Sequence, residues 1–196
     1  MKGPTMKKLI FFVYTAIPVF LYSCASLQSP KESSINPNDI VRWNDSTKLS
    51  WDDFQGQPIK EAQVASEIFI QTPASMHKAT FLLPASTTVD CYVDKKASWV
   101  KKSQAKPPLL QYNQTLFDLH ELYARKLRKK LTETNFGFTN PAGVFDSLYQ
   151  AHNFELTKAV SQYRTECGMG SKNKKVKEWS DKIAADLKEL DEFKTK

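Results

Sequence analysis

Apolar side chains change their spacing once along this chain, at the proline pair Pro107 and Pro108. Before that point they alternate or cluster in short runs; after it they recur every three or four residues. Alternation marks half-buried strands, and the longer spacing marks amphipathic helices. The first half therefore predicts strands at Glu61–Gln71, Ala79–Leu83, Thr87–Val93 and Ala97–Lys101. In the third of these Val89, Cys91 and Val93 share one face. Pro73–Lys78 reads as a turn with His77 in solvent.

The second half predicts three helices. The first runs from about Pro108 to Thr134, with Leu116, Leu119, Tyr123, Leu127 and Leu131 at helical spacing. Lys126, Arg128, Lys129 and Lys130 crowd its C-terminal end, where cations suit the helix dipole. Turn residues from Asn135 to Pro141 separate it from a second helix over Ala142–Arg164. A third spans Ser171–Phe193, with Ser171 as its cap and Val176, Trp179, Ile183, Leu187 and Leu190 facing inward. No internal repeat is visible. The fold class is α+β, a small antiparallel or mixed sheet packed on a helical layer with a C-terminal helix.

The N-terminus adds an address. Lys2, Lys7 and Lys8 precede a mostly apolar stretch, Leu9–Tyr22, too short for the roughly 20 residues that span a bilayer. Residues 1–23 read as a secretory signal peptide. Leu21, Tyr22, Ser23 and Cys24 resemble a bacterial lipobox, with a bulky Tyr22, so Cys24 is the expected lipidation site and the membrane the expected partner. Ala25 and Ser26 include no Asp to favour inner-membrane retention, which points to the outer membrane with the domain facing the periplasm. Residues 24–40, rich in Ser, Pro and Asn, read as a flexible tether, and 41–196 as one domain.

Net charge is +7, of which the three leader lysines supply three, leaving +4 on the mature chain. No aromatic residues interleave with the basic ones, so no nucleic-acid partner is expected. The lysines at 172, 174, 175 and 177 read as a solvated helix face, with an anionic surface as the alternative contact. Cys91 and Cys167 either form a disulfide, which would pin the loop around Met169 to the sheet, or are small buried apolar residues.

Chemistry enters through residues 109–131. Leu109, Leu110, Gln114, Phe117, Asp118, Leu119, Glu121, Ala124, Arg125 and Leu127 match the pattern L-L-x-H-E-Q-x-H-F-D-I-x-E-x-x-A-R-x-L. That pattern belongs to a bacterial family of secreted zinc-dependent proteases, which this segment resembles. Leu49, Trp51, Asp53, Phe54 and Gly56 resemble the family's opening motif L-T-W-x-D-F-x-G, and Ser98, Trp99 and Val100 resemble the strand before its active helix. Tyr163, Glu166, Gly170 and Trp179 follow its C-terminal pattern Y-D-x-E-T-x-H-G with a later Q-x-x-W; Arg164, Cys167 and Val176 depart from it. The resemblance covers residues 43 to 190 and implies a zincin-like helical layer.

In His-Glu-x-x-His the two imidazoles lie one turn apart on one helix face and share a zinc ion, while the glutamate serves as general base. Here Tyr112 and Leu116 stand at the histidine positions, Asn113 at the glutamate and Met169 at the third histidine. Leucine has no lone pair, asparagine takes no proton near neutral pH, and a thioether suits hydrolytic zinc poorly. Apolar groups at such positions fill the pocket and remove buried charge. The expectation is a degenerate homologue, a pseudoenzyme with no catalytic residue, no metal and no cofactor. Asp118, Glu121 and Arg125 remain as residues supporting the former site from behind.

Function on this reading is binding of a peptide or protein partner, by strand addition along an edge strand Ala97–Lys101 and the Tyr112/Leu116 helix face. One rival is an active metal-dependent hydrolase with a rearranged site of Asp118, His120 and His152. His120 and His152 otherwise read as packing or surface histidines, since Ala124 stands four residues after His120. The other rival is a structural envelope lipoprotein.

Overall fold

A proline in the first turn of a helix has no needed amide to lose, so Pro107 and Pro108 stop the strand region and open helix α1, Pro107–Glu133. The computed structural model describes residues 36–77, 86–137 and 139–195. Five strands precede α1: β1 (Ile40–Arg42), β2 (Ser66–Gln71), β3 (Ala74–His77), β4 (Ser86–Val89) and β5 (Tyr92–Val100). Two helices follow it, α2 (Pro141–Glu166) and α3 (Asn173–Glu189). The architecture is α+β with three helices and a small antiparallel sheet. None of the described helices is long and apolar enough to cross a membrane.

The sheet runs β1-β5-β2, and β3 and β4 form a separate two-stranded ribbon. The long middle strand β5 pairs with β1 at Tyr92–Asp94 and with β2 at both of its ends. Between these points β5 bulges out, with Lys95–Ser98 opposite only Ile68 of β2. There the Ser98 hydroxyl donates to the Asp94 carbonyl at 2.6 Å and accepts the Phe69 amide at 2.9 Å. On the opposite side of β5, the Gln55 amide donates to the Lys95 carbonyl and the Gly56 amide to the Ser98 carbonyl, at 2.8 and 2.7 Å. A Cβ at Gly56 would stand 2.7 Å from the Lys96 oxygen, so only glycine lets the chain lie this close.

Several sequence expectations change. Ala97–Lys101 is no edge strand: it belongs mostly to the central strand, fenced by β2 on one side and by Gln55 and Gly56 on the other. Thr87–Val93 is split, because the Asp90 amide turns to the Pro73 carbonyl and its carboxylate caps Cys91 as the chain leaves the ribbon for the sheet. Residues 61–65 stay outside β2, with the Ala62 carbonyl held by Lys101. Ala74–His77 is a strand rather than a turn, with His77 exposed. The tether ends earlier than expected, since Pro37–Asp39 form a 3-10 turn and Ile40 is buried opposite Asp94. Ser171 does not cap α3; Lys172 holds that position and the Ser171 hydroxyl bonds to the Gly168 carbonyl. The leader, Cys24 and the strand expected at Ala79–Leu83 lie outside the described residues.

α1 is buried almost all the way round. Leu116, Leu119, Leu127 and Leu131 form the expected apolar stripe, but Asn113, Gln114, Thr115, Glu121 and Arg125 are buried too. The sheet and ribbon, α2 and α3 pack around it. A charge taken from water needs a full set of partners, and Glu121 and Arg125 have them. Arg125 donates from Nε to Glu121 Oε1 at 3.0 Å, from Nη1 to the Leu187 carbonyl at 2.8 Å and from Nη2 to Asp45 at 3.3 Å. Arg128 reaches both Glu121 oxygens and the carbonyls of Val89 and Phe193. Trp43 covers the Arg125 guanidinium at 5.0 Å. This one cluster joins α1 to the ribbon, to the segment after β1 and to the end of α3.

Arg125→Met keeps most of the buried stem and deletes the fork, leaving Glu121 to Arg128 alone. Denaturant unfolding followed by circular dichroism should show a loss of about 3 kcal/mol. An unchanged midpoint would show that the cluster is incidental to stability.

Candidate functional site

The four positions at which the resembled motifs carry zinc chemistry fall near the start of α1 and in the turn after α2. One helical turn separates Tyr112 from Leu116, and both are buried, at 5% and 1% exposure. Tyr163, buried on α2, stacks on Tyr112 with ring centres 5.1 Å apart and donates its hydroxyl to the Tyr112 carbonyl at 2.8 Å. The following turn, Gly168–Gly170, folds back over the same ring: a Cβ at Gly170 would meet the Tyr112 ring at 3.1 Å, and Gly170 adopts φ +93°. Met169 sits between two glycines at φ 52°, a left-handed conformation uncommon for a residue with a side chain. Its sulfur accepts the Tyr112 hydroxyl at 3.8 Å. Two positions 57 residues apart in sequence are thus brought into contact.

Asn113 points to the sheet. Its amide nitrogen donates to Ser66 on β2 and to the Leu109 carbonyl, both at 3.0 Å. Burial pushes the Tyr112 hydroxyl up to about 12, so it stays a neutral phenol at physiological pH. A zinc ion here would meet a phenol, a hydrocarbon, a thioether and an amide already engaged. These residues do not fit the ion.

Asp118, Glu121 and Arg125 sit elsewhere. At about 100° per residue they lie roughly 120–180° around α1 from Tyr112. Asp118 accepts Trp43 Nε1 and Gln114 Nε2 on one oxygen, both at 2.9 Å. Gln114 Oε1 in turn takes the Leu49 amide at 2.8 Å. The expected support from behind the Tyr112 site is replaced by support of the segment from Trp43 to Leu49. Glu121 and Arg125 pair with each other and with Arg128, Asp45 and Trp43, partners that nothing in the sequence marks. Trp43 is an isolated aromatic with no periodicity, and nothing in the sequence marks it as Asp118's donor.

The rearranged triad does not assemble. Asp118 and His120 face nearly opposite sides of α1, about 160° apart. Among the described residues no group of three His, Cys, Asp or Glu side chains is placed to hold a metal ion. Cys91 and Cys167 are both free and buried, which overturns the disulfide. Cys91 lies beside Glu121 and Cys167 beside Tyr112, and those residues are about 13 Å apart along the α1 axis, well beyond disulfide reach.

Three buried side-chain atoms have no hydrogen-bond partner among the described residues: His120 Nδ1, His152 Nε2 and Arg164 Nε. His152 lies against Tyr123 and Tyr149. Burial, helped by Arg164, lowers His120 to about 3, and burial with Lys130 lowers His152 to about 4. Arg164 Nη2 also bridges to Glu67 on β2 at 2.5 Å.

Comparison of the chain with protein-family models, with curated proteins and with solved structures gives no match. The site is therefore read from its own geometry.

That geometry fixes a pH response. An unfolded histidine takes a proton below about pH 6.5, whereas these two resist it until about 3 and about 4 in the folded chain. Each keeps the native state short of a proton in that window, costing about 1.4 kcal/mol of stability per pH unit below 6.5. The raised Asp118 works in the opposite sense. Unfolding midpoints at pH 7 and pH 4.5 should differ clearly less in His152→Phe than in wild type. Equal pH dependence in the two proteins would rule out a neutral buried His152.

Proposed function

We propose that the chain is a lipid-anchored, non-catalytic relative of secreted zinc-dependent proteases, a pseudoenzyme that binds an extended peptide or protein segment. The observation that carries this reading is the contact of Tyr112 with Met169. Two positions picked only by motif resemblance meet at 3.8 Å, where a shared metal would require its ligands to converge. The side chains there are a neutral phenol and a thioether, with Leu116 one turn on and Asn113 engaged by Ser66. α1 lying against an antiparallel sheet supports a zincin-like arrangement. The leader lysines, the short apolar stretch and Cys24 support anchoring in the outer membrane, facing the periplasm.

Binding by strand addition moves from β5 to β2. β2 is the end strand of its sheet, and β5 is its one strand neighbour among the described residues. Asn113 of α1 touches it through Ser66. Phe69 and Met169 are both 48% exposed, and Glu67 of β2 forms an ion pair with Arg164 of α2. An extended segment would take backbone hydrogen bonds from β2 and bury those apolar groups.

Two experiments test the two halves. A variant with histidine at all three ligand positions (Tyr112→His, Leu116→His, Met169→His) should bind zinc in calorimetry at least a hundredfold tighter than wild type. Equal affinity would mean that the three positions do not converge as the resemblance requires. Peptides selected from a random library on the wild-type protein should lose at least tenfold in affinity for Phe69→Asp and Met169→Asp. Both are surface changes, so the fold should persist. Undiminished binding to these variants, or chelator-sensitive cleavage of the peptides by wild type, would contradict the proposal.

A further inference from the structure

A second cleft lies on the far side of α1 from Tyr112, between residues 43–48, α1 and α3, with a volume of about 460 Å³. Gln111, Gln114 and Asp118 line it from α1, Ser180, Ala184 and Leu187 from α3, and Trp43 from the N-terminal segment. The charged residues on α1's cleft face are Asp118 and Arg125; Asp45, Lys48, Lys188 and Asp191 also line the cleft. Trp43 and Gln114 donate to the same oxygen of the Asp118 carboxylate. Its other oxygen has no partner among the described residues. Asp118 as a residue is partly exposed.

The arrangement is half a binding site. A largely buried carboxylate with one oxygen saturated and one open is a good counter-ion for a cation entering the cleft, and among the described residues no side chain within ion-pair distance serves it. Lys48, another residue lining the cleft, lowers the carboxyl only through space. Arg125 is committed to Glu121, Asp45 and the Leu187 carbonyl. Beside the carboxylate, Gln111 Nε2 reaches Ser180 Oγ at 3.4 Å, leaving the Gln111 carbonyl oxygen as a further acceptor. Ala184 and Leu187 supply an apolar wall.

We propose that this cleft binds a primary alkylammonium group, with Asp118 as its counter-ion, Gln111 and Ser180 as additional acceptors, and Ala184 and Leu187 against the alkyl stem. The single open oxygen separates an ammonium from a guanidinium. A guanidinium fork gains most from two free carboxylate oxygens, whereas an ammonium needs only one and spreads its remaining donors over neighbouring acceptors. A metal ion is a poorer match: Asp45 and Asp191 also line the cleft but are paired with Arg125 and Lys194, and no three ligating side chains are grouped to hold an ion among the described residues. The ammonium could be that of a free amine or of a lysine side chain, which share this chemistry. The proposal is independent of the β2 edge and of the motif resemblance.

Isothermal titration of the full-length protein in non-ionic detergent supplies the test, with n-pentylamine, n-pentanol, agmatine, cadaverine and a blocked lysine as probes. Pentylamine should bind, pentanol should not, and agmatine should bind at least fivefold more weakly than pentylamine. A blocked lysine binding more tightly than cadaverine would identify a peptide as the source of the amine; the reverse order would identify a free amine. Asp118→Asn keeps an acceptor for Trp43 and Gln114 and should weaken pentylamine at least tenfold at an unchanged melting temperature. Lys48→Gln removes the competing cation and should tighten it about threefold, a readout that stands even if the Asn variant folds poorly. Pentylamine binding unaffected by both substitutions, no pentylamine binding at millimolar concentration, or pentanol binding as well as pentylamine would overturn the proposal.

Discussion

A helix enclosed on every side must satisfy its polar side chains from within the protein, and α1 carries many of them. Each unpaired buried group costs stability, and an unpaired charge costs most. The solution is a different neighbour for each direction. Asn113 turns to Ser66 on the sheet, Gln114 to the Leu49 amide, Thr115 to the Gln111 carbonyl one turn back, and Glu121 to two arginines. The same bonds hold the N-terminal segment, the ribbon and the end of α3 in place, because their backbone carbonyls and amides complete the set. Chain segments that look irregular in sequence, such as residues 43–49, are ordered by what α1 needs.

The exceptions to that accounting are where function is to be sought. At the start of α1, Tyr112 and Leu116 are closed in by Tyr163 and by the Gly168–Gly170 turn, and the site has no strong metal donor left. In the proposed account, hydrocarbon and phenol replace imidazole, and the structure gains a packed interface where a metal pocket would have needed charge. On the opposite side, Asp118 keeps one oxygen free at a cleft. Between α1 and α2, the two histidines have a ring nitrogen each without a partner. These are three distinct places, and only the first coincides with the motif's metal-ligand positions.

Helix periodicity was readable because α1, α2 and α3 each present leucine, isoleucine or aromatic residues at regular spacing to a shared core. Their expected ends lie within one to four residues of the observed ones. The sheet was less readable. β1 has three residues, and β3 reads as a turn after Pro73. β5 pairs with β2 at both ends, and between them a bulge breaks its alternation at Asp94–Ser98. Strand order is a tertiary property, which is why Ala97–Lys101 was taken for an edge when Gln55 and Gly56 in fact cover it. At the site, Tyr112 and Met169, positions singled out by motif spacing, are in contact. That spacing said nothing about the side of α1 on which Asp118, Glu121 and Arg125 find partners, because that depends on Trp43, Asp45 and Leu187, which no local pattern links to them.

The account rests on the claim that the start of α1 offers no metal a home. Elemental analysis of the full-length protein, purified without chelator and dialysed against metal-free buffer, addresses this most directly. The account predicts zinc far below one equivalent per chain, unchanged by Met169→Ala. Close to one equivalent of zinc, lost on Met169→Ala or Tyr112→Phe, would contradict it.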